Sequence, residues 1–185
     1  YDETNDRPMD PRPYGIAGWS ENDRFVYIYD RYDIWKIDPA GDRVPVNITK
    51  AFGRRNETRL RYVELDRDLE HIPENETVLL SAFDERTMSG GYFSFEFSTV
   101  KNPDLVIMDK FSFGDLKKAK EAEKLIWTKE NVETFPDLWI SDFDFKHAEK
   151  ISDANPQQEN YIWPTVELVE WTSFAGEKLQ GLLYR

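Results

Sequence analysis

The chain has 185 residues, enough for one ordinary domain with a real core. Its formal net charge is −12 and it carries no long Lys/Arg run, which disfavours a nucleic-acid role because a phosphate backbone would meet a net-negative surface. With no cysteine it can form neither disulfides nor thiolate metal sites, and no apolar run approaches the roughly 20 residues that a membrane helix needs.

Aromatics at 15%, together with many Val and Ile, lean towards strands. The opening YDETNDRPMDPRPYG is polar, proline-rich and unlike a signal peptide. It lacks an initiating Met, so a chain cut from something larger is expected. Trp19 to Asp23 reads as a turn, and Phe25 to Tyr29 as a strand apolar at every position. A strand with one wet face would alternate, so cover on both faces is expected. Asp30-Arg31-Tyr32 turns the chain and Asp33 to Asp38 runs back. Pro39 to Asp42 turns again, and Val44 to Thr49 completes an antiparallel meander.

A second unit would hold strands at Arg61–Leu65, Thr77–Phe83, Tyr92–Phe97 and Leu105–Met108, with a loop over Asp84 to Gly91. In FGDLKKAKEAEK, the residues Leu116, Ala119, Ala122 and Leu125 would share one helical face, but the segment reads equally well as an inner strand. A third unit has Lys124–Thr128 and Asp137–Ser141, then a turn over Asp142 to Lys146 leading into HAEKISD.

RYDIWKIDPAGDR (31–43) and FPDLWISDFDFKHAEK (135–150) are versions of one short strand. Taking Trp35, Phe93 and Trp139 as equivalent gives spacings of 58 and 46 residues, on average somewhat above the roughly 40–50 residue period of four-stranded propeller blades. A blade cannot bury two apolar faces alone, so it stacks on neighbours that resemble it. The recurring aspartate would serve backbone donors at a turn, and the tryptophan would fill space between blades. The expected fold is all-β. It is a partial β-propeller of about three four-stranded antiparallel blades (near 15–50, 58–110 and 111–155) within residues 1–160, and a C-terminal β-hairpin segment at 161–185.

WSENDRFVYI resembles the W-S-P-D-G-K-type blade opener of bacterial propellers. ENVETFPDLWIS and VELVEWTSFAGEKLQGLLYR together resemble the last blades and re-entry segment of serine peptidases of the prolyl oligopeptidase family, dipeptidyl peptidase IV-like enzymes included. Trp171, Ser173, Gly176, Leu179, Gly181, Leu183 and Tyr184 match a strand resembling W-x-S-x-D-G-x-x-I-x-G-x-L-Y, with Ala175 in place of its Asp. The resemblance covers roughly residues 15 to 185. It implies a propeller preceding an α/β-hydrolase domain, a peptide substrate and a periplasmic or secreted location.

The nucleophilic serine of that family sits on G-x-S-x-G. None of the nine serines has glycine at both −2 and +2; Ser89 comes nearest, with Thr87 at −2. His71 and His147 precede the re-entry strand, whereas the triad histidine would follow it. The family's amino-terminus clamp, an Asp-Trp…Glu-Glu context, has no counterpart, and Glu121 and Glu123 sit among lysines. No catalytic, cofactor-binding or metal residue is therefore assigned, and no cofactor is expected.

Other features have plain readings. Asp30, Asp33, Asp38 and Asp42 are oxygen-rich, but they lack the D-x-[DN]-x-[DN]-G spacing of a calcium loop and read as turn residues. SDFDF (Ser141 to Phe145) could be a sugar-binding edge or a solvated strand end. Glu70 and His71 could pair as acid and base, although no further partner is identifiable. Asn47, Asn56 and Asn75 open glycosylation-type triplets.

The expected function is a non-catalytic propeller fragment that gates and orients peptides for a catalytic domain. Its partners would be that domain and the peptide substrate, with no nucleic acid, no membrane span, and self-association of bare blade faces. The alternatives are a stand-alone TolB-like or carbohydrate-binding propeller and an independent hydrolase using a carboxylate pair about 5–10 Å apart.

Overall fold

The computed structural model describes residue 3 and residues 8–66 and 68–185. The regular structure of the described residues is nearly all strand, in three four-stranded antiparallel sheets and one two-stranded hairpin. It divides into two compact units, Tyr1–Asp109 and Lys110–Arg185.

In the first unit, β1 (Ile16–Trp19), β2 (Val26–Tyr29), β3 (Ile34–Ile37) and β4 (Val46–Asn47) form one sheet in chain order. A five-residue helix, α1 (Phe52–Asn56), leads to a second sheet of β5 (Thr58–Tyr62), β6 (Val78–Asp84), β7 (Ser89–Phe95) and β8 (Asp104–Asp109). Tight turns favour antiparallel meanders of this kind, since two-residue connections suffice. The two sheets enclose one core in which Tyr27, Ile34, Ile48, Leu60, Leu80 and Phe95 are almost fully buried. Burying each such side chain is worth about 1.5–3 kcal/mol. Phe97 organises the aromatic part, meeting Tyr27 edge-on at 4.8 Å between centroids and Tyr62 at 5.5 Å. Backbone bonds tie one sheet to the other: Leu60 N–H to the Tyr32 carbonyl (2.9 Å), and Ile72 N–H to that of Trp19 (2.8 Å).

Double-sided burial is clearest at β7, where Gly91, Tyr92 and Phe93 are buried in succession. At β2 only Tyr27 is buried and its neighbours are half-buried. Within its unit the first sheet has one neighbouring sheet, so one of its faces stays partly open.

Five local expectations change. The strand expected over Val44–Thr49 is only Val46–Asn47, and the one expected over Arg61–Leu65 lies at Thr58–Tyr62. Trp19 ends β1 rather than opening a turn, because it pairs with Val26. Ser89 to Gly91 belong to β7, not to the loop, and pair with Asp84 to Ala82. The ambiguous segment is a strand: β9 (Ser112–Lys118) pairs with β10 (Leu125–Glu130), and Lys120 to Glu123 form the bend between them. Pairing with β10 offers β9 a full ladder of backbone bonds, which outweighs the weak apolar period.

The second unit continues with β11 (Asp137–Ser141) and the two-residue β12 (Glu149–Lys150) in the same sheet. Trp127 is its centre: 1% exposed, stacked on Trp139 at 5.6 Å and packed on Phe113 and Phe145. Its indole N–H donates to Ser141 Oγ at 2.9 Å, so the buried polar edge is satisfied. The hairpin of β13 (Val166–Thr172) and β14 (Lys178–Tyr184) runs in unbroken register from Val166–Tyr184 to Thr172–Lys178. Gly176, at φ 84°, supplies the left-handed turn residue. Trp171, Leu179, Leu182 and Tyr184 on this hairpin are exposed.

Candidate functional site

The repeated strand has one architecture in both copies. Trp35, Phe93 and Trp139 each lie on the third strand of their sheet. Asp33 and Asp137 stand two residues before the two tryptophans and hold the chain that follows the fourth strand. Asp33, fully buried, accepts from Thr49 Oγ1 (2.7 Å) and from the N–H groups of Gly53 (2.9 Å) and Arg54 (3.0 Å). Asp137 accepts from Ser152 Oγ (2.6 Å), Ala154 N–H (2.8 Å) and Lys150 Nζ (3.2 Å).

The next residue repeats the match. Ile34 donates its N–H to Thr49 Oγ1 and accepts at its carbonyl from Ile48 N–H. Leu138 donates its N–H to Ser152 Oγ and accepts at its carbonyl from Ile151 N–H. The aspartate is thus a clasp between distant segments, not the local turn residue expected. The sequence signal for it is the pair Ile48-Thr49 and Ile151-Ser152, in which the hydroxyl residue follows its aspartate by 16 and 15 positions.

Asp137 shapes the floor of a surface cleft of about 410 Å³ in the second unit. One wall is the connection between β10 and β11, with Glu133, Thr134 and Phe135; the other is the segment from Asp153 through a short 3-10 turn (Pro156–Asn160) to Tyr161 and Trp163. Two bonds join the walls. Gln158 Nε2 donates to the Glu133 carbonyl at 2.8 Å, and the Trp163 indole N–H donates to the Val132 carbonyl. Phe135, Tyr161 and Trp163 are 43%, 68% and 46% exposed. Lys150 is held by Asp137 (3.2 Å) and Asp153 (3.7 Å).

The residues singled out from sequence lie elsewhere or serve structure. Asp30 accepts from the N–H groups of Tyr32 and Asp33 and from the Trp35 indole, and Asp38 accepts from Ala40 N–H. Asp42 is exposed. His71 and Glu70 line a small separate cleft of about 60 Å³ beside Trp19 and Ile72. Ser89 is buried against Thr87 Oγ1, and Glu123 pairs with Lys118 at 3.6 Å. Glu121, His147 and Asn75 are exposed. Asn47 accepts from Ala51 N–H and Asn56 donates to the Phe52 carbonyl, so both amides act as local caps. In SDFDF, Ser141 and Phe145 are buried, while Asp142 pairs with Lys124 and Asp144 with Lys146. Among the described residues no cluster of three or more acidic or histidine side chains is arranged to hold a metal ion. Among them, too, no helix is long and apolar enough to cross a membrane.

Several carboxyls are held below their usual range. For Asp137 the causes are the Ser152 hydroxyl, then the Ala154 N–H, with Lys150 adding to them. Burial pushes Asp30 and Glu74 up, but hydrogen bonds outweigh it: from Asp33 N–H and the Trp35 indole at Asp30, and from Lys36 and the Tyr27 hydroxyl at Glu74. Groups depressed on folding stabilise the fold above their unfolded values near pH 4, and that contribution is lost as pH falls through the folded values. The urea midpoint is therefore expected to stay level from pH 7 to about pH 5 and to fall steeply below about pH 4. A midpoint still level at pH 3 would contradict the clasp geometry.

The fold defines an all-β chain of blade-like four-stranded sheets followed by a hairpin. Compared with protein-family models and with curated proteins, the chain matches none. Among solved structures it is similar to a variant of the AtxE2 isopeptidase with astexin3-dC4 bound, at a TM-score of 0.50 and 14% identity. That likeness covers 95% of this chain and 26% of the isopeptidase, so the chain spans about a quarter of that protein's length. At this identity the likeness speaks to the fold alone.

Proposed function

We propose that the chain is a non-catalytic β-propeller segment of a serine peptidase of the prolyl oligopeptidase family, which orients peptides for an α/β-hydrolase domain. The observation that carries this reading is the closing hairpin. The residues matching the re-entry pattern, Trp171 to Tyr184, fold as strand, turn and strand, after the connection that follows the third four-stranded sheet. Their apolar side chains are left uncovered, as a surface awaiting a neighbouring domain would be. The Asp-x-Trp clasps add support, since they make the first and third four-stranded sheets repeats of one unit. A stand-alone TolB-like or carbohydrate-binding propeller is the second reading, and it draws on the exposed rings of the 410 Å³ cleft.

Reading the coding sequence past Arg185 tests both. A G-x-S-x-G elbow is expected within a few hundred codons, and the longer protein should hydrolyse short peptides while residues 1–185 do not. Continuation without such an elbow would leave the binding-module reading in its place.

A further inference from the structure

We propose that the cleft between the β10–β11 connection and the 153–163 segment is a docking site for a basic peptide segment, seating an arginine side chain on its aromatic wall. This holds whether or not a catalytic domain follows. The volume, about 410 Å³, lies in the range of small ligand sites and suits one or two side chains rather than a folded partner.

The rings of this wall are far more exposed than the buried aromatic of the same unit. Trp127 in the same unit is 1% exposed, whereas Phe135, Tyr161 and Trp163 all present rings to solvent around one depression. Trp163 is fixed there by its indole bond to the Val132 carbonyl, so little side-chain freedom remains to be lost on binding.

Charge then selects the occupant. Glu133, Asp137, Asp153 and Glu159 line the cleft with a single cation, Lys150, which is already engaged by Asp137 and Asp153. Among the described residues no cation lies within ion-pair distance of Glu133 or Glu159. A guanidinium meets both requirements: it stacks on ring faces and forms bidentate bonds with carboxylates. The chain already uses this chemistry internally, with the Arg31 guanidinium 4.9 Å from the Tyr32 ring centre and 2.7 Å from the Glu85 carboxylate. A neutral sugar would stack on the rings and donate hydroxyls to the carboxylates, but it would leave their negative charge uncompensated.

Isothermal titration of the chain separates these cases. The probes are an acetylated, amidated Gly-Arg-Gly-Arg-Gly peptide, its citrulline isostere and cellotetraose. The arginine peptide is expected to bind at low salt, and the citrulline peptide at least about tenfold more weakly. Glu133→Gln with Glu159→Gln should weaken the arginine peptide about tenfold. Tyr161→Ala, at an exposed position that leaves the fold intact, should weaken it about fivefold. Equal binding of the citrulline peptide overturns the proposal, as does unchanged affinity in the double variant, which would place the attraction elsewhere on the acidic surface. Binding of cellotetraose without the arginine peptide, or no binding at low-millimolar peptide, overturns it as well.

Discussion

Asp33→Ala is expected to lower the stability of the first unit by about 4 kcal/mol, read as a fall in urea midpoint with an unchanged slope. The carboxylate is fully buried and accepts from Thr49, Gly53 and Arg54. Alanine would leave the Gly53 and Arg54 N–H groups without an acceptor, while the Thr49 hydroxyl keeps Asn47 Oδ1 at 3.0 Å, and each orphaned donor costs roughly 1–3 kcal/mol. Asp33→Asn should cost about half as much, since one oxygen remains but an amide N–H₂ would face the Arg54 N–H. Thr49→Val should cost about 2 kcal/mol, because it removes the hydroxyl's bond to Asp33 and leaves the buried Ile34 N–H without its acceptor, while Gly53 and Arg54 stay served by Asp33. If Asp33→Ala proved neutral, Asp33 would be a turn residue after all and the clasp would carry no weight.

Gly91→Ala is expected to cost about 3 kcal/mol or more, with loss of the β7–β8 pairing. A Cβ at this position would lie 2.0 Å from the Ile107 carbonyl oxygen and 2.8 Å from the Met108 Cα. Both are backbone atoms, so no side-chain rotation relieves the clash. Gly41→Ala is the control: nothing lies within 4 Å of its Cβ, and the cost there is only that of a left-handed alanine, about 1 kcal/mol. Amide exchange should show β8 unprotected in Gly91→Ala while β2 and β3 remain slow. Retained protection in β8 would show that the strands can separate at no great cost, against the geometry. Gly91 also explains why the second sheet has no clasp. It stands two residues before Phe93, where the other sheets have aspartate, and the backbone of β8 occupies the space an aspartate would need.

Where side-chain pattern is local, the sequence is explicit. Runs such as Phe25–Tyr29 and Thr77–Phe83 between Asp, Asn, Pro and Gly turns specify strands, and turn spacing specifies antiparallel meanders. Those two rules are enough for an all-β chain of four-stranded sheets. FGDLKKAKEAEK (113–124) is ambiguous in sequence because its apolar residues fit both periods, and only the ladder offered by Leu125–Glu130 decides for strand, over Ser112–Lys118. Ser89-Gly90-Gly91 reads as a loop because glycine ends strands more often than it fills them. Its place in β7 depends on how closely β8 approaches.

The aspartates of DIW and DLW are legible as a repeat, but not in their role. Their hydroxyl partners lie 16 and 15 residues downstream, and hydrogen bonds over that distance leave no local pattern. The aromatic cleft is invisible in sequence for the same reason, since Phe135, Tyr161 and Trp163 meet only after Gln158 and Trp163 tie their segment to the β10–β11 connection. Backbone periodicity is set by neighbours along the chain, whereas a clasp or a cleft is set by which segments pack together. The amino-acid order by itself therefore determined the strands and their repetition, and tertiary contact alone decided which carboxylates hold the fold and which face solvent beside bare rings.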